Sequence, residues 1–435
     1  MERRNFLQSS SLGLSAALIG SSSVHAHYAP ELSLTTERSP DRKIVLGIMG
    51  CSRGIGLFED LIKIQNVEVK YLCDCDKSRL NSAMKVAEKS DQKPLAISDF
   101  RHILDDKSVD ALVCAAPNHW HGPATIMACK AGKHVYVEKP TSHNPQEGIW
   151  MIEAAEKSGK CVQVGTQRRS SPGYQAAIEK IHRGAIGTVS QSRCFFNRMR
   201  GSIGTTQPTE PPADLDYTLW QGPAPKRPFK SNVVHYNWHW FWHWGNGELG
   251  NNGIHGLDIC RWGLQVDFPI RTVSSGGRYG FSDDQETPDT HTVCWEFERK
   301  KQITYQGIST SQHPPGPFVS FYGSEGYLEI DTEGGYIHYD RAGKVVEKSP
   351  ASSSGQFEHL SNFIHAVVAE DPGLLAQPVR SGHLSTHLCH LGNVAHRVGS
   401  VIKTSRDDGK WTDPTIPSEY WKRDYAPEWE TVVVP

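Results

Sequence analysis

Three places in the chain hold residues whose types and spacing suit chemistry on a hydroxyl-bearing molecule. The apolar run "KIVLGIMG" ends at Gly50 and passes into "CSRGIG". There Gly50, Ser52, Arg53 and Gly54 offer backbone N–H groups and mostly small side chains to a phosphate at the start of a helix. Asp74 closes "VEVKYLCD". A carboxylate at that point accepts hydrogen bonds from a ribose 2′-hydroxyl and repels a 2′-phosphate, which favours NAD over NADP. His255 stands in "WGNGELGNNGIHGLDICRW", after a run of glycines and asparagines. Its imidazole titrates near neutral pH and can take a hydroxyl proton as hydride leaves the same carbon. The phosphate turn departs from the G-x-G-x-x-G spacing, with Ser52 in the middle position and the third glycine offset, so the surrounding elements must carry the reading.

Those elements are legible. "KIVLGIMG", "VEVKYLCDCD", "VDALVCAAP" and "HVYVEKP" read as short buried strands, and "HGPATIMACKAG" as a helix between two of them. Alternation of this kind predicts a doubly wound parallel sheet with its ligand at the carboxyl ends of the strands. Past "CVQVGTQRR" the texture changes to strand-like runs such as "TVCWEFERKKQITYQG" and "PFVSFYGSEGYLEID", which predict a largely antiparallel sheet. Two amphipathic helices follow over residues 356–403. The fold class is therefore an N-terminal Rossmann domain with a C-terminal α+β domain, divided as 1–40, 41–165 and 166–435. His255, Asp258, Ile259 and Trp262 recur at helical spacing, which puts His255 in a first turn. The preceding glycines would let backbone come close to a ligand. A helix-terminal or satisfied core histidine is the plainer alternative for His255.

"APNHWHGP" followed by "AGKHVYVEKP" resembles the Gfo/Idh/MocA oxidoreductases, and the resemblance extends over almost the whole chain past residue 42. It implies that Glu138, Lys139 and Pro140 form that family's Glu-Lys-Pro signature, with Lys139 between nicotinamide and substrate and a constrained peptide bond at Pro140. It places Pro117, Asn118 and His119 along the nicotinamide pocket. It also matches His255 to the family's catalytic histidine, although Asn251 stands where an aspartate is expected. Asparagine keeps the hydrogen bonding and loses the charge, so proton transfer falls to Lys139 and His255. Homo-oligomers are common in the family.

The formal net charge of -2 leaves no electrostatic footprint for nucleic acid. "MERRNFLQSSSLGLSAALIGSSSVHAHYAP" has the order of an export signal of the twin-arginine type, which implies a periplasmic or extracellular protein with no membrane anchor once the signal is removed. That route carries folded proteins, so few or no disulfides are expected among the ten cysteines. His235, His239 and His243 in "HYNWHWFWHWG" suggest a metal by spacing, yet no carboxylate or thiol lies close in sequence, and no metal is expected. Aromatic stacking against a sugar face, with Trp240 in the platform, fits the composition better. "DDQETPDTH" reads as a solvated turn. Arg168 is assigned to the substrate side, where it could also serve an ion pair.

The expected protein binds a small carbohydrate-like substrate and NAD, and moves hydride between a sugar, sugar derivative or cyclitol carbon and a tightly held cofactor. Two alternatives stand beside it: an NAD-dependent glycosidase that oxidises its sugar transiently, and a catalytically silent binding protein of the same fold.

Overall fold

The structure, a computed structural model, describes residues 42–311 and 316–434. The export-signal reading of residues 1–40 lies outside them. Among the described residues no helix is long and apolar enough to cross a membrane.

The first sheet is built from β1 (Ile44–Met49), β2 (Val67–Cys73), β3 (Leu95–Ile97), β4 (Ala111–Cys114), β5 (His134–Val137) and β6 (Val162–Val164). Its order is β3-β2-β1-β4-β5-β6, and every pair is parallel. The strands are short apolar runs because both faces are covered. One face packs on helices Arg53–Leu61 and Lys77–Ala87, and the other on Asn118–Lys130 and Pro145–Ser158. The strand order reverses between β1 and β4, which opens a crevice at their carboxyl ends.

The second sheet follows as β7 (Val189–Asn197), β8 (Arg271–Gly277), β9 (Thr290–Phe297), β10 (Lys301–Ile308), β11 (Val319–Gly323), β12 (Gly326–Ile330), β13 (Tyr336–Asp340), β14 (Val345–Ser349) and β15 (Ile402–Lys403). Its order is β14-β13-β12-β11-β7-β10-β9-β8-β15, antiparallel except where β7 meets β10. Helices Pro172–His182 and Ile254–Leu264 cover one face, with Trp295, Tyr305 and Phe321 buried beneath them.

The chain then returns to the first sheet. Helix Gln356–Ala369 sets Phe363 against Tyr136, with ring centroids 5.8 Å apart, and the terminal helix Pro427–Val433 sets Trp429 edge-on to Trp120 at 5.0 Å. The crevice is therefore bounded by both halves of the molecule. All ten cysteines are free thiols, eight of them buried.

The acidic turn "DDQETPDTH" is an internal anchor rather than a solvated loop. Asp283 accepts hydrogen bonds from Ser202, Ile203 N–H and Arg278, and Asp284 from Lys230, Asn232 and Thr206 N–H. These bonds hold the long connection after β7 against the second sheet.

Candidate active site

A cleft of about 270 Å³ runs along the carboxyl ends of β1, β2, β4 and β5. At its floor Gly50 has φ +94, and a Cβ there would fall 2.6 Å from the Ala115 carbonyl oxygen. Only glycine lets the turns after β1 and β4 meet. Gly54 is equally constrained, by Ile48 at 2.7 Å from a built Cβ, so it seats its helix on the sheet. Ser52 precedes helix Arg53–Leu61 and makes no side-chain cap, leaving that helix start turned to the cleft. Asp74 accepts from Cys51 N–H at 2.8 Å and Asp76 N–H at 3.0 Å. Each of its oxygens keeps a lone pair for a further donor. Burial raises its pKa, and the two amides and Arg79 moderate the rise. A glycine turn, an open helix start and a hydrogen-bond-accepting carboxylate fit a dinucleotide.

The strand β5 delivers Glu138-Lys139-Pro140 to the same cleft, with a cis peptide between Lys139 and Pro140. Glu138 is buried, and Arg53 Nε donates to it at 2.8 Å. Burial alone would raise the Glu138 pKa; the charges of Arg53 and Lys139 outweigh it and hold the carboxyl below its ordinary value. Lys139 crosses the cleft to the second half of the chain. Its Nζ donates to the Asn251 main-chain oxygen at 2.7 Å and lies 3.4 Å from Asn251 Oδ1. Burial lowers the Lys139 pKa, with Glu138 opposing and Arg53 assisting.

Asn251 belongs to a single π-helical turn, Leu249–Gly253, that runs directly into helix Ile254–Leu264. The glycines of this turn make room for protein rather than for a ligand: a Cβ on Gly250 would meet Asn246 at 2.5 Å, and one on Gly253 would meet Tyr305 at 2.9 Å. His255 stands in the first helical turn, as its spacing predicts. Its Nδ1 is buried and has no hydrogen-bond partner among the described residues, and the ring stands within reach of the charges of Arg168, Lys139 and Arg53. Burial, and then the charges of Arg168, Lys139 and Arg53, push its pKa well below the ordinary histidine value.

The structure brings Gly50, Ser52, Arg53, Asp74, Pro117, Asn118, Glu138, Lys139 and Asn251 together around one cleft. Three expected residues are turned elsewhere. His119 is fully buried, with Nε2 on the Trp220 carbonyl at 2.9 Å and Trp244 against its ring. Trp240 is buried under the Arg200 guanidinium, 5.2 Å from ring centroid to carbon, so it supports the Arg200–Glu248 pair instead of facing a sugar. Arg168 lies over Phe318 at 4.2 Å and donates to the Thr332 carbonyl; it reaches His255 and Lys139 through its charge. Asn118 spends its amide on Asn246 Oδ1 at 2.8 Å.

The three histidines at metal-like spacing go to separate partners: His235 to Asp76, His239 to the Tyr236 carbonyl and His243 to the Pro225 carbonyl. Residues not expected from the sequence also line the cleft, namely His121, Arg79, Tyr236, Trp238 and His239. The aromatic run "HYNWHWFWHWG" signalled three of them by composition, though not by position.

Comparison with known proteins accords with this geometry. Residues 44–166 match the model of an oxidoreductase family with an NAD-binding Rossmann fold, and residues 188–306 match the C-terminal α/β domain of the same family. The chain belongs to the Gfo/Idh/MocA oxidoreductase family. It is 30% identical over 183 residues to the uncharacterized oxidoreductase YrbE of Bacillus subtilis, covering 42% of this chain and 49% of that one. It is 27% identical over 190 residues to levoglucosan dehydrogenase of Pseudarthrobacter phenanthrenivorans (41% and 42%), and 27% over 174 residues to a glycosyl hydrolase family 109 protein of Shewanella baltica (37% and 38%). The chain thus spans half or less of the length of these relatives. Among solved structures, the aldose-aldose oxidoreductase of Caulobacter crescentus with glycerol superposes with a TM-score of 0.63 at 19% identity, over 83% of this chain and 100% of that one. The WlbA dehydrogenase of Bordetella pertussis with NADH and UDP-GlcNAcA gives 0.65 at 18%, over 84% and 100%. At such identities the likeness is one of fold.

Proposed function

We propose that this protein is an NAD-dependent oxidoreductase that converts a secondary or hemiacetal hydroxyl of a sugar, sugar derivative or cyclitol to a carbonyl, and the reverse. The observation that carries the reading is the meeting of Lys139 and Asn251 inside the cleft that Gly50 and Asp74 shape for a dinucleotide. Gly50, Ser52 and the start of helix Arg53–Leu61 would hold the pyrophosphate, and Asp74 the ribose. A bound nicotinamide supplies the two-electron acceptor. Lys139, already giving hydrogen bonds to Asn251, has a further N–H for the reacting oxygen and stabilises negative charge on it. Asn251 Nδ2, 3.5 Å from the Tyr236 hydroxyl, supplies a neutral donor to an adjacent hydroxyl. The proton leaving the substrate must pass to a group that is neutral at working pH, and the imidazoles around Lys139 meet that requirement.

The family-109 likeness keeps a redox-neutral glycosidase as the second reading. The two carboxylates of the cleft wall do not suit direct acid–base hydrolysis, since Glu138 is paired with Arg53 and Asp74 is tied to backbone amides. Export by the twin-arginine route and self-association belong to the same proposal, tested by cell fractionation and light scattering. The central experiment incubates the purified full chain with NAD and a panel of aldoses, levoglucosan, myo-inositol and aryl glycosides. Growth of nicotinamide absorbance with formation of a ketone or lactone supports the dehydrogenase. Aglycone release without net reduction supports the glycosidase, and failure to bind NAD at all defeats both.

A further inference from the structure

We propose that Tyr236 is a substrate-positioning residue whose hydroxyl donates a hydrogen bond to an oxygen on the carbon next to the reacting one. The protein would then select substrates that carry oxygens on two neighbouring carbons. Tyr236 lines the cleft and is 48% exposed, so its phenol is open to a ligand. Its ring is held by two neighbours: His239, with centroids 4.7 Å apart, and the Arg200 guanidinium, 5.6 Å from the ring centre. Arg200 is itself fixed. Glu248 accepts from its Nε at 3.0 Å and its Nη2 at 3.3 Å, and Asn252 Nδ2 donates to the same carboxylate.

The contacts of the hydroxyl oxygen give the bond its direction. Arg200 Nη1 donates to it at 3.1 Å, and Asn251 Nδ2 lies 3.5 Å away. Guanidinium and amide nitrogens only donate, so the phenol oxygen is the acceptor in both contacts and its own hydrogen is left over. The amide cannot be reversed without loss, because Oδ1 is the end that faces Lys139 Nζ, at 3.4 Å. Among the described residues nothing accepts from the Tyr236 O–H, and the open side of the phenol is the cleft. A charged donor on the oxygen also polarises the O–H bond and strengthens what it donates. The same geometry sets the spacing that a substrate must match. Lys139 Nζ and the Tyr236 hydroxyl are joined by two contacts and the width of one carboxamide, that of Asn251. Two oxygens on neighbouring carbons span the same pair of groups, one at Lys139 as the reacting oxygen and the other under the Tyr236 O–H and Asn251 Nδ2.

The assignment rests on the dehydrogenase reading, and the two fail differently. If the unsubstituted chain reduces NAD with no member of the sugar and cyclitol panel, the reading falls. The probes are the panel member that reduces NAD and its monodeoxy analogues at the carbons flanking the oxidised one. Tyr236→Phe keeps the ring and removes the donor, and kcat/KM for the parent compound should fall roughly 10-fold or more. For one monodeoxy analogue the two chains should differ less than about twofold, because the contact has already lost its other partner. The comparison is internal to each chain, so a partly folded variant does not mimic it. A residue that only packs on His239 or receives Arg200 costs the same with every analogue, and that outcome overturns the assignment, as does an unchanged kcat/KM for the parent compound. NAD affinity, measured by calorimetry, should change less than about threefold; a fall matching the loss in kcat/KM would give the phenol to the dinucleotide and overturn it too.

Discussion

Lys139 Nζ and the Asn251 main-chain oxygen lie 2.7 Å apart, joining the end of a parallel strand to a π-helical turn from the other half of the chain. Because the acceptor is backbone, the contact survives any change of side chain at 251. Asn251→Ala should therefore cost less than about tenfold in kcat, whereas Lys139→Ala should cost on the order of 100- to 10,000-fold. Steady-state rates of the two variants, with circular dichroism to confirm folding, check the contrast.

Asn251→Asp tests the charge that the chain lacks. An opposite charge beside an ammonium favours its protonated form. Lys139, whose pKa burial now lowers, should titrate at higher pH in this variant, and the alkaline limb of the kcat profile should move upward. A profile unmoved by the new carboxylate would mean that Lys139 does not govern that limb.

At the other end of the cleft Asp74 serves two purposes, accepting backbone amides from Cys51 and Asp76 and offering charge to a ligand. Asp74→Asn removes the charge and keeps only one of the two backbone contacts, since its NH2 replaces one accepting oxygen. Loss of a charge-assisted bond worth ~1.5–3 kcal/mol should weaken NAD binding by about 10- to 100-fold, and relief of repulsion should narrow the preference over NADP. Calorimetric titration with each dinucleotide measures both effects.

The parts of the site that the sequence revealed are those fixed by the ends of regular elements. Gly50, Asp74, Pro117 and Glu138 each follow a buried strand, so the sheet alone carries them to one edge. Residues inside continuously buried or irregular segments kept their direction hidden. Helix Asn118–Lys130 is buried through its first turns on every side, so no polar face reveals that His121 points to the cleft and His119 away from it. The 3-10 turn Asn237–Trp240 likewise sets Trp238 and His239 on the cleft and Trp240 beneath Arg200, a choice that alternating tryptophans and histidines do not encode. The π turn was visible only as glycines, whose meaning depended on the Asn246 and Tyr305 side chains that fill the space.

Asp258, one turn beyond His255, holds a buried network that steadies this region. Arg169 grips it with two hydrogen bonds of 2.8 and 2.9 Å, and Ser385 and Gln377 complete its shell. Burial alone would raise the Asp258 pKa, and Arg169, with Arg261 and Ser385, more than reverses the effect. Asp258→Ala strands the guanidinium in a site where its side chain is only 9% exposed, and should cost ~3–5 kcal/mol. Equilibrium denaturation in urea measures the loss. Since Arg168 is the next residue along the chain, kcat should fall in the same variant even where it remains folded.

Histidine burial makes the fold itself sensitive to acid. Burial drives the pKa of His359 and His387 down to about 4 and that of His383 to about 3. The charge of His387 also opposes that of His383, whose ring centroid lies 5.6 Å away. In the unfolded chain each ring titrates near its ordinary value of about 6.5. Between that value and the folded one the unfolded state binds more protons, so stability is fully present above about pH 6.5 and is lost as pH falls toward 4. Each such ring contributes a slope of up to about 1.4 kcal/mol per pH unit in that window. His387→Gln should remove one ring's share and flatten the curve, at whatever offset the substitution itself imposes. Urea denaturation at a series of pH values between 4.5 and 7.5 measures both slopes, and equal slopes for the variant and the unsubstituted chain would show that His387 is not held neutral by its burial.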